Sequence, residues 1–320
     1  MSDATMPKSL FGTAFKHSFS CSLIAFFLAA GSLSPGYPGN ASLTADDSEK
    51  KSAGEKKKKS NSERFVRILK DKKGKAVALQ TSSTRYTRKD GADELYIDLI
   101  GVVHIGEKSY YKQLNKQFEQ YDALLYELVA PEGTRVVKGQ KRGGFNPIGG
   151  LQNGMKSVLG LEFQLDHIEY SRKNFVHADM SPKEMSDSMT KNDESVTKMF
   201  FKMLGSSMAM QGSSSGMSDI ALMRALLSGD KKQLRRVMAS QMNNLDQAMV
   251  MFNGKDGSTI ITHRNTKCFQ VMDREIQKGK RKIGVFYGAG HLPDMEKRLL
   301  GEKYKMKAGS QKWYTAWDLK

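Results

Sequence analysis

From Leu95 to Val103 the chain is an almost unbroken apolar run, Leu95-Tyr96-Ile97-Asp98-Leu99-Ile100-Gly101-Val102-Val103, the pattern of a strand buried on both faces. It ends in His104. Tyr110, Tyr111, Leu114, Phe118 and Tyr121 then recur at helical spacing and predict an amphipathic helix over roughly residues 107–120. A second buried strand, Asp122-Ala123-Leu124-Leu125-Tyr126-Glu127, follows. Strand, helix and strand within about thirty residues make a βαβ unit, which requires a parallel sheet. The expected fold is therefore α/β: a mixed, mostly parallel central sheet flanked by helices, with a helical Met-rich insertion. Parallel sheets bind ligands beyond the carboxyl ends of their strands. His104 and Glu127 both fall there.

The C-terminal part repeats this design. Lys282-Ile283-Gly284-Val285-Phe286-Tyr287 reads as a strand, and Gly288-Ala289-Gly290-His291 breaks it into a helix carrying Leu292, Met295 and Leu299. Gly101-Val102-Val103-His104 and Gly288-Ala289-Gly290-His291 share the form Gly-x-x-His at a strand end, where glycine permits a tight turn and a close ligand. Two imidazoles and a carboxylate are a ligand set for a hydrolytic divalent metal of the manganese, cobalt or zinc class. Without metal, the same groups form a general acid–base pair. The pattern leaves both schemes open.

Further candidates surround these three. A helix from about Gly257 has an apolar stripe of Ile261, Cys268, Met272 and Ile276, and Asn265 lies on that stripe. Asn265 either ties helix to sheet or holds a site histidine in one tautomer. Arg264 beside it either pairs structurally or meets a substrate carboxylate or a developing oxyanion. His177 and Asp179 mark another strand end before a helix, on the same rim. His167 and His263 read as structural. The string Gly212-Ser213-Ser214-Ser215-Gly216 follows no apolar strand run and reads as a flexible hinge rather than a nucleophile elbow, and the chain contains no His-Glu-x-x-His helix and no EF-hand loop.

Elsewhere, Phe65–Leu69 and Ala76–Leu79 flank Asp71-Lys72-Lys73-Gly74 as a β-hairpin, which Thr84–Thr87 extends. Residues 131–154 form a long Gly-rich basic loop that matches no phosphate-binding pattern. Residues 155–170 read as helix, Phe175-Val176-His177 as a short strand, and Ser181-Pro182-Lys183-Glu184 as a helix start with a capping box. Twelve of the nineteen methionines lie between Met185 and Met251, which suggests helices of adaptable packing, as core or as a lid over residues 185–251. Residues 303–308 and 311–317 are expected as closing strands, with Trp313 and Trp317 on one face.

The N-terminus adds an address. Lys8, Lys16 and His17 precede the apolar stretch Leu23–Ala30, and small residues follow as far as Ala45. This is the order of a secretory signal peptide, and the stretch falls short of the ~20 residues of a spanning helix. Residues 1–45 are thus expected as a signal peptide, 46–63 as a Lys-rich linker and 64–320 as the α/β domain of an exported protein, periplasmic or extracellular. An uncleaved anchor is the alternative. The net charge of +17 comes partly from the run Lys56–Lys59. That run reads as a solvated tether, or as a contact for an anionic surface. No nucleic-acid partner is expected. Of two cysteines, Cys21 would leave with the signal, so Cys268 has no internal partner and a Cys-rich zinc site is excluded.

Taken in order, Gly101-Val102-Val103-His104, Tyr126-Glu127-Leu128, Arg264-Asn265 and Gly288-Ala289-Gly290-His291-Leu292-Pro293 resemble the TraB/PrgY/TIKI family over about residues 93–300. That family is similar in design to erythromycin esterases. The resemblance implies His and Glu residues gathered at the mouth of the sheet, here His104, Glu127 and His291, with Arg264 and Asn265 as the family's Arg-Asn pair. His263 stands where the family often has Glu. For function, the resemblance implies either a metal-dependent peptidase or a non-catalytic protein that sequesters peptides. A peptide or protein is the implied substrate or partner.

Overall fold

A computed structural model describes residues 64–90, 93–132, 134, 159–194, 224, 227–240 and 258–320. The predicted signal segment, the linker, most of the 131–154 loop and much of the Met-rich stretch lie outside these residues. Among the described residues no helix is long and apolar enough to cross a membrane.

The hairpin forms as expected. Strand β1 (Val66–Lys70) turns into β2 (Ala76–Asp90) through a loop in which the Asp71 carboxylate accepts the Lys73 and Lys75 amides. Gly74 supplies the positive φ of +79° that this turn requires. β3 (Asp93–Val102) pairs antiparallel with β2 and parallel with β8 (Lys282–Gly288). β5 (Ala123–Tyr126) pairs parallel with both β8 and β7 (Phe175–His177). The long β9 (Lys307–Asp318) runs antiparallel along β2. β9 overlaps the stretches of β2 that pair with β1 and with β3, so β1 and β3 share its opposite edge. The result is a seven-stranded mixed sheet in which β3, β8, β5 and β7 form the parallel block.

Periodicity explains the two helical layers. Ile100, Val102, Leu124, Tyr126 and Phe286 face one way and pack on Tyr110, Tyr111, Leu114 and Phe118 of helix α1 (Lys108–Phe118). Alternate residues of the same strands, Leu99, Leu125, Val285 and Tyr287, face the other way. They meet two helices there, one at Arg264–Gln277 through Cys268, Phe269 and Met272, and one at Leu292–Leu300 through Leu292, Met295 and Leu299.

β3 and β5 are parallel, as the βαβ reading requires, and β8 lies between them. Three expectations need correction. Residues 159–170 are not one helix. Gly160 turns the chain at φ +62° after the helical Leu159, Glu162–Phe163 forms strand β6 against β4 (Ile105–Gly106), and helix resumes at α2 (Gln164–His167). The closing segment is one strand rather than two. Trp313 and Trp317 lie on opposite faces, because a register shift in the β2–β9 pairing carries an extra residue between them. Trp317 donates its indole N–H to the Ile105 carbonyl inside the core, while Trp313 stacks under Arg67.

Candidate functional site

His104 follows β3 by two residues, Glu127 follows β5 by one, and His291 closes the 3₁₀ turn Ala289–His291 after β8. Since β8 runs between β3 and β5, all three reach the same end of the parallel block. Gly288 marks the meeting point. A Cβ placed there would stand 3.2 Å from Glu127 Oε2, 3.8 Å from His104 Nε2 and 3.8 Å from His291 Cδ2. Any larger residue would fill the space between these groups.

Each imidazole is held by an amide. His291 Nδ1 lies 2.7 Å from Asn265 Oδ1, and Asn265 Nδ2 donates to the His291 carbonyl and to Asp294. His104 Nδ1 lies 2.9 Å from Gln164 Oε1, whose Nε2 donates to Tyr170. The Gln164 backbone N–H also donates to the His104 carbonyl. With an amide oxygen as acceptor, Nδ1 carries the proton in each neutral ring and Nε2 keeps its lone pair. Asn265 thus makes contacts of both kinds expected of it, a tie to the turn after β8 and an oxygen at His291 Nδ1. Gln164 escaped the sequence reading, because residues 155–170 read as one helix. The alternation of Leu161, Phe163 and Leu165 with Glu162 and Gln164 was the available signal for a strand.

Arg264 organises the negative side. It is 1% exposed, yet both of its carboxylate partners are at hand. Its Nε and Nη2 grip Asp179 at 2.9 and 2.5 Å, and Nη2 also donates to Glu127 Oε1 at 2.7 Å. Nη1 reaches to 3.4 Å from His291 Nε2. Asp179 is held in place partly by the Tyr287 hydroxyl of β8, which donates to the Ala178 carbonyl. The other Glu127 oxygen accepts the Gly288 amide at 2.6 Å. Burial works to raise the Glu127 pKa, but Arg264, then His291 and His104, and the Gly288 N–H outweigh it, so the carboxyl sits well below its usual range. Burial, opposed by Glu127 and assisted by Arg264, pushes the His291 imidazole down to about 4.

The other described histidines stand apart. His177 spends Nε2 on the Leu128 carbonyl at 2.6 Å and packs on Tyr126, so it fastens the chain leaving β5. Asp179, two residues on, is the member of that pair that joins the cluster. His167 bonds Glu162 and stacks on Tyr111, and His263 bonds Ser188.

The donor set suits a divalent cation in its chemistry: two imidazole lone pairs, one carboxylate, and one net negative charge after Arg264 cancels a carboxylate. Among the described residues, however, no three His, Cys, Asp or Glu side chains are drawn up as a ligand group. Arg264 bridges Glu127 and His291 instead. Comparison of the chain with family models, curated proteins and solved structures gives no match.

The Gln164 contact is open to direct test. Gln164→Leu removes the acceptor for His104 Nδ1 while keeping bulk. Nitrogen-15 spectra of the histidine rings are expected to show a single Nδ1-protonated His104 in the wild type and a mixture of tautomers in the variant. Affinity for added divalent metal should fall by about 10–100-fold, the usual cost of losing such a support. An unchanged His104 spectrum would remove Gln164 from this role.

Proposed function

We propose that the chain is an exported hydrolase of the TraB/PrgY/TIKI type, acting on peptide bonds at the mouth of the parallel sheet. One observation carries this reading: two imidazoles, each with Nδ1 tied to an amide oxygen, flank Glu127, with His291 Nε2 3.5 Å from Glu127 Oε1 and His104 Nε2 beside Gly288. Histidines supported in this way are typical of metal ligands and of proton-transfer groups.

His104, Glu127 and His291 would hold a divalent metal of the manganese, cobalt or zinc class, which supplies hydroxide near neutral pH when bound. The protein groups then divide the remaining work. Both Glu127 oxygens accept strong hydrogen bonds and serve as fixed negative charge. His104 Nε2 accepts no hydrogen bond among the described residues, so its lone pair is the one open to the ion. Arg264, locked against Asp179, presents its Nη1 edge near His291, where it can meet developing negative charge on a carbonyl oxygen.

That same guanidinium favours a second reading, in which no metal enters and His104 acts as general base beside the Arg264–Glu127 pair. Metal content separates the two. Elemental analysis of the purified protein is expected to find divalent metal near one equivalent, on the rule of one ion to such a ligand set. His104→Ala and His291→Ala should each lose most of it while melting close to the wild type. Peptide turnover by a metal-free protein would select the second reading. Unchanged metal in both folded variants would sink the assignment of these ligands.

A further inference from the structure

We infer that the cleft where the C-terminal half of α1 crosses β2, β3 and β9 is a second binding site, for a small polyhydroxylated anion. This site lies away from the His104–Glu127–His291 cluster and does not rest on the reading of that cluster. Its volume of about 370 Å³ is in the range of small-ligand pockets.

The floor carries the argument. Among the described residues the Tyr314 hydroxyl and Gln117 Oε1 are buried without a hydrogen-bond partner, and both residues border this cleft. Tyr314 is 2% exposed, so bulk solvent does little to compensate its hydroxyl. An unsatisfied buried polar group is costly. Two such groups at one cleft, a hydroxyl and a bare amide oxygen, match a ligand that both accepts and donates. Gln117 has no freedom to turn its amide, since Nε2 is already committed to Ser83 and Tyr121 at 2.7 Å each.

The charge at the rim sets the sign of the ligand. Arg85 is spent on Asp98, in a two-point pair of 2.8 and 2.9 Å, and Tyr121 donates to the same carboxylate. Lys116 and Lys312 also border the cleft, and among the described residues neither forms an ion pair. Lys312 Nζ lies 4.9 Å from the centre of the Tyr314 ring, which holds it over the floor. Register agrees with this placement, because Lys312 pairs with Ser83 and Tyr314 with Thr81, on the α1 side of the sheet. Two free cations attract an anion, and the amides of Gln113 and Gln311 beside them suit hydroxyls, which donate and accept. A phosphate or a carboxylate fulfils the anionic part equally.

Calorimetric titration of the purified full chain tests this with glucose 6-phosphate, glucuronate, inorganic phosphate and glucose as probes. One or both sugar anions are expected to bind at least tenfold more tightly than glucose and than inorganic phosphate. Whichever binds identifies the anion. Tyr314→Phe keeps the ring and removes only the hydroxyl, and it should weaken the sugar anion at least tenfold. Lys312→Gln should weaken it similarly and reduce its dependence on salt. His104→Ala should leave it unchanged. The proposal is overturned if no anion binds at 10 mM (roughly the weakest affinity worth the name of a site). It is equally overturned if inorganic phosphate or glucose binds as tightly, or if Tyr314→Phe binds like the wild type.

Discussion

Asp179→Ala is expected to destabilise the fold by about 3–5 kcal/mol, the loss typical of removing one partner from a buried ion pair. The Asp179 side chain is fully buried and supplies two of the contacts to a guanidinium that is itself 1% exposed. Without it, Arg264 loses its two-point carboxylate partner and keeps Glu127 and a long contact to His291 at the cluster, with the buried charge less well compensated. Urea denaturation measures the loss, and a slope unchanged from the wild type would assign it to the native state. Asp179→Asn should recover part of it, because an amide oxygen can still accept one guanidinium N–H. A change below about 1 kcal/mol in Asp179→Ala, the size of an exposed pair, would mean that Arg264 is not anchored there.

Glu127→Gln separates chemistry from scaffold. Arg264 keeps its grip on Asp179 in this variant, so the fold should lose only about 1–3 kcal/mol, the cost of weakening hydrogen bonds to a buried group. Peptide hydrolysis should nevertheless fall by about 10²–10⁴-fold, because the one uncancelled negative charge between the imidazoles is gone. The paired outcome is the informative one: Asp179 governs stability, Glu127 governs turnover. If the wild type cleaves no peptide with any added divalent metal but still binds peptides, the cleft is a capture site, and the fold serves sequestration.

The positions of the site were legible because each is announced locally. A Gly-x-x-His after an apolar run marks a strand end whatever the rest of the chain does, and so does Glu127 after Leu124-Leu125-Tyr126. Asn265 was legible as a polar residue on an apolar stripe, and the structure spends it on His291. Gln164 was not legible in the same way. Its neighbours form too short a strand for their alternation to outweigh a helical reading, and its partner His104 is sixty residues away. Asp179 and His177 carried equal weight in sequence, two residues apart. Only the packing of Tyr287 on Ala178 and of Leu128 on His177 sends one into the cluster and the other to the backbone.

Alternation and helical spacing by themselves determined the α/β class, most of the strands and the two faces of each, since burial repeats every second residue in a strand and every third or fourth in a helix. They could not determine neighbours. Strand pairing joins residues far apart in the chain, and a buried parallel strand has no side-chain pattern that names its partner. The tertiary structure decided that β8 enters between β3 and β5. That insertion sets His291 between His104 and Glu127, and it lets Arg264 cross from its helix to two carboxylates on different strand ends. Three separate strand-end residues become one site through that pairing.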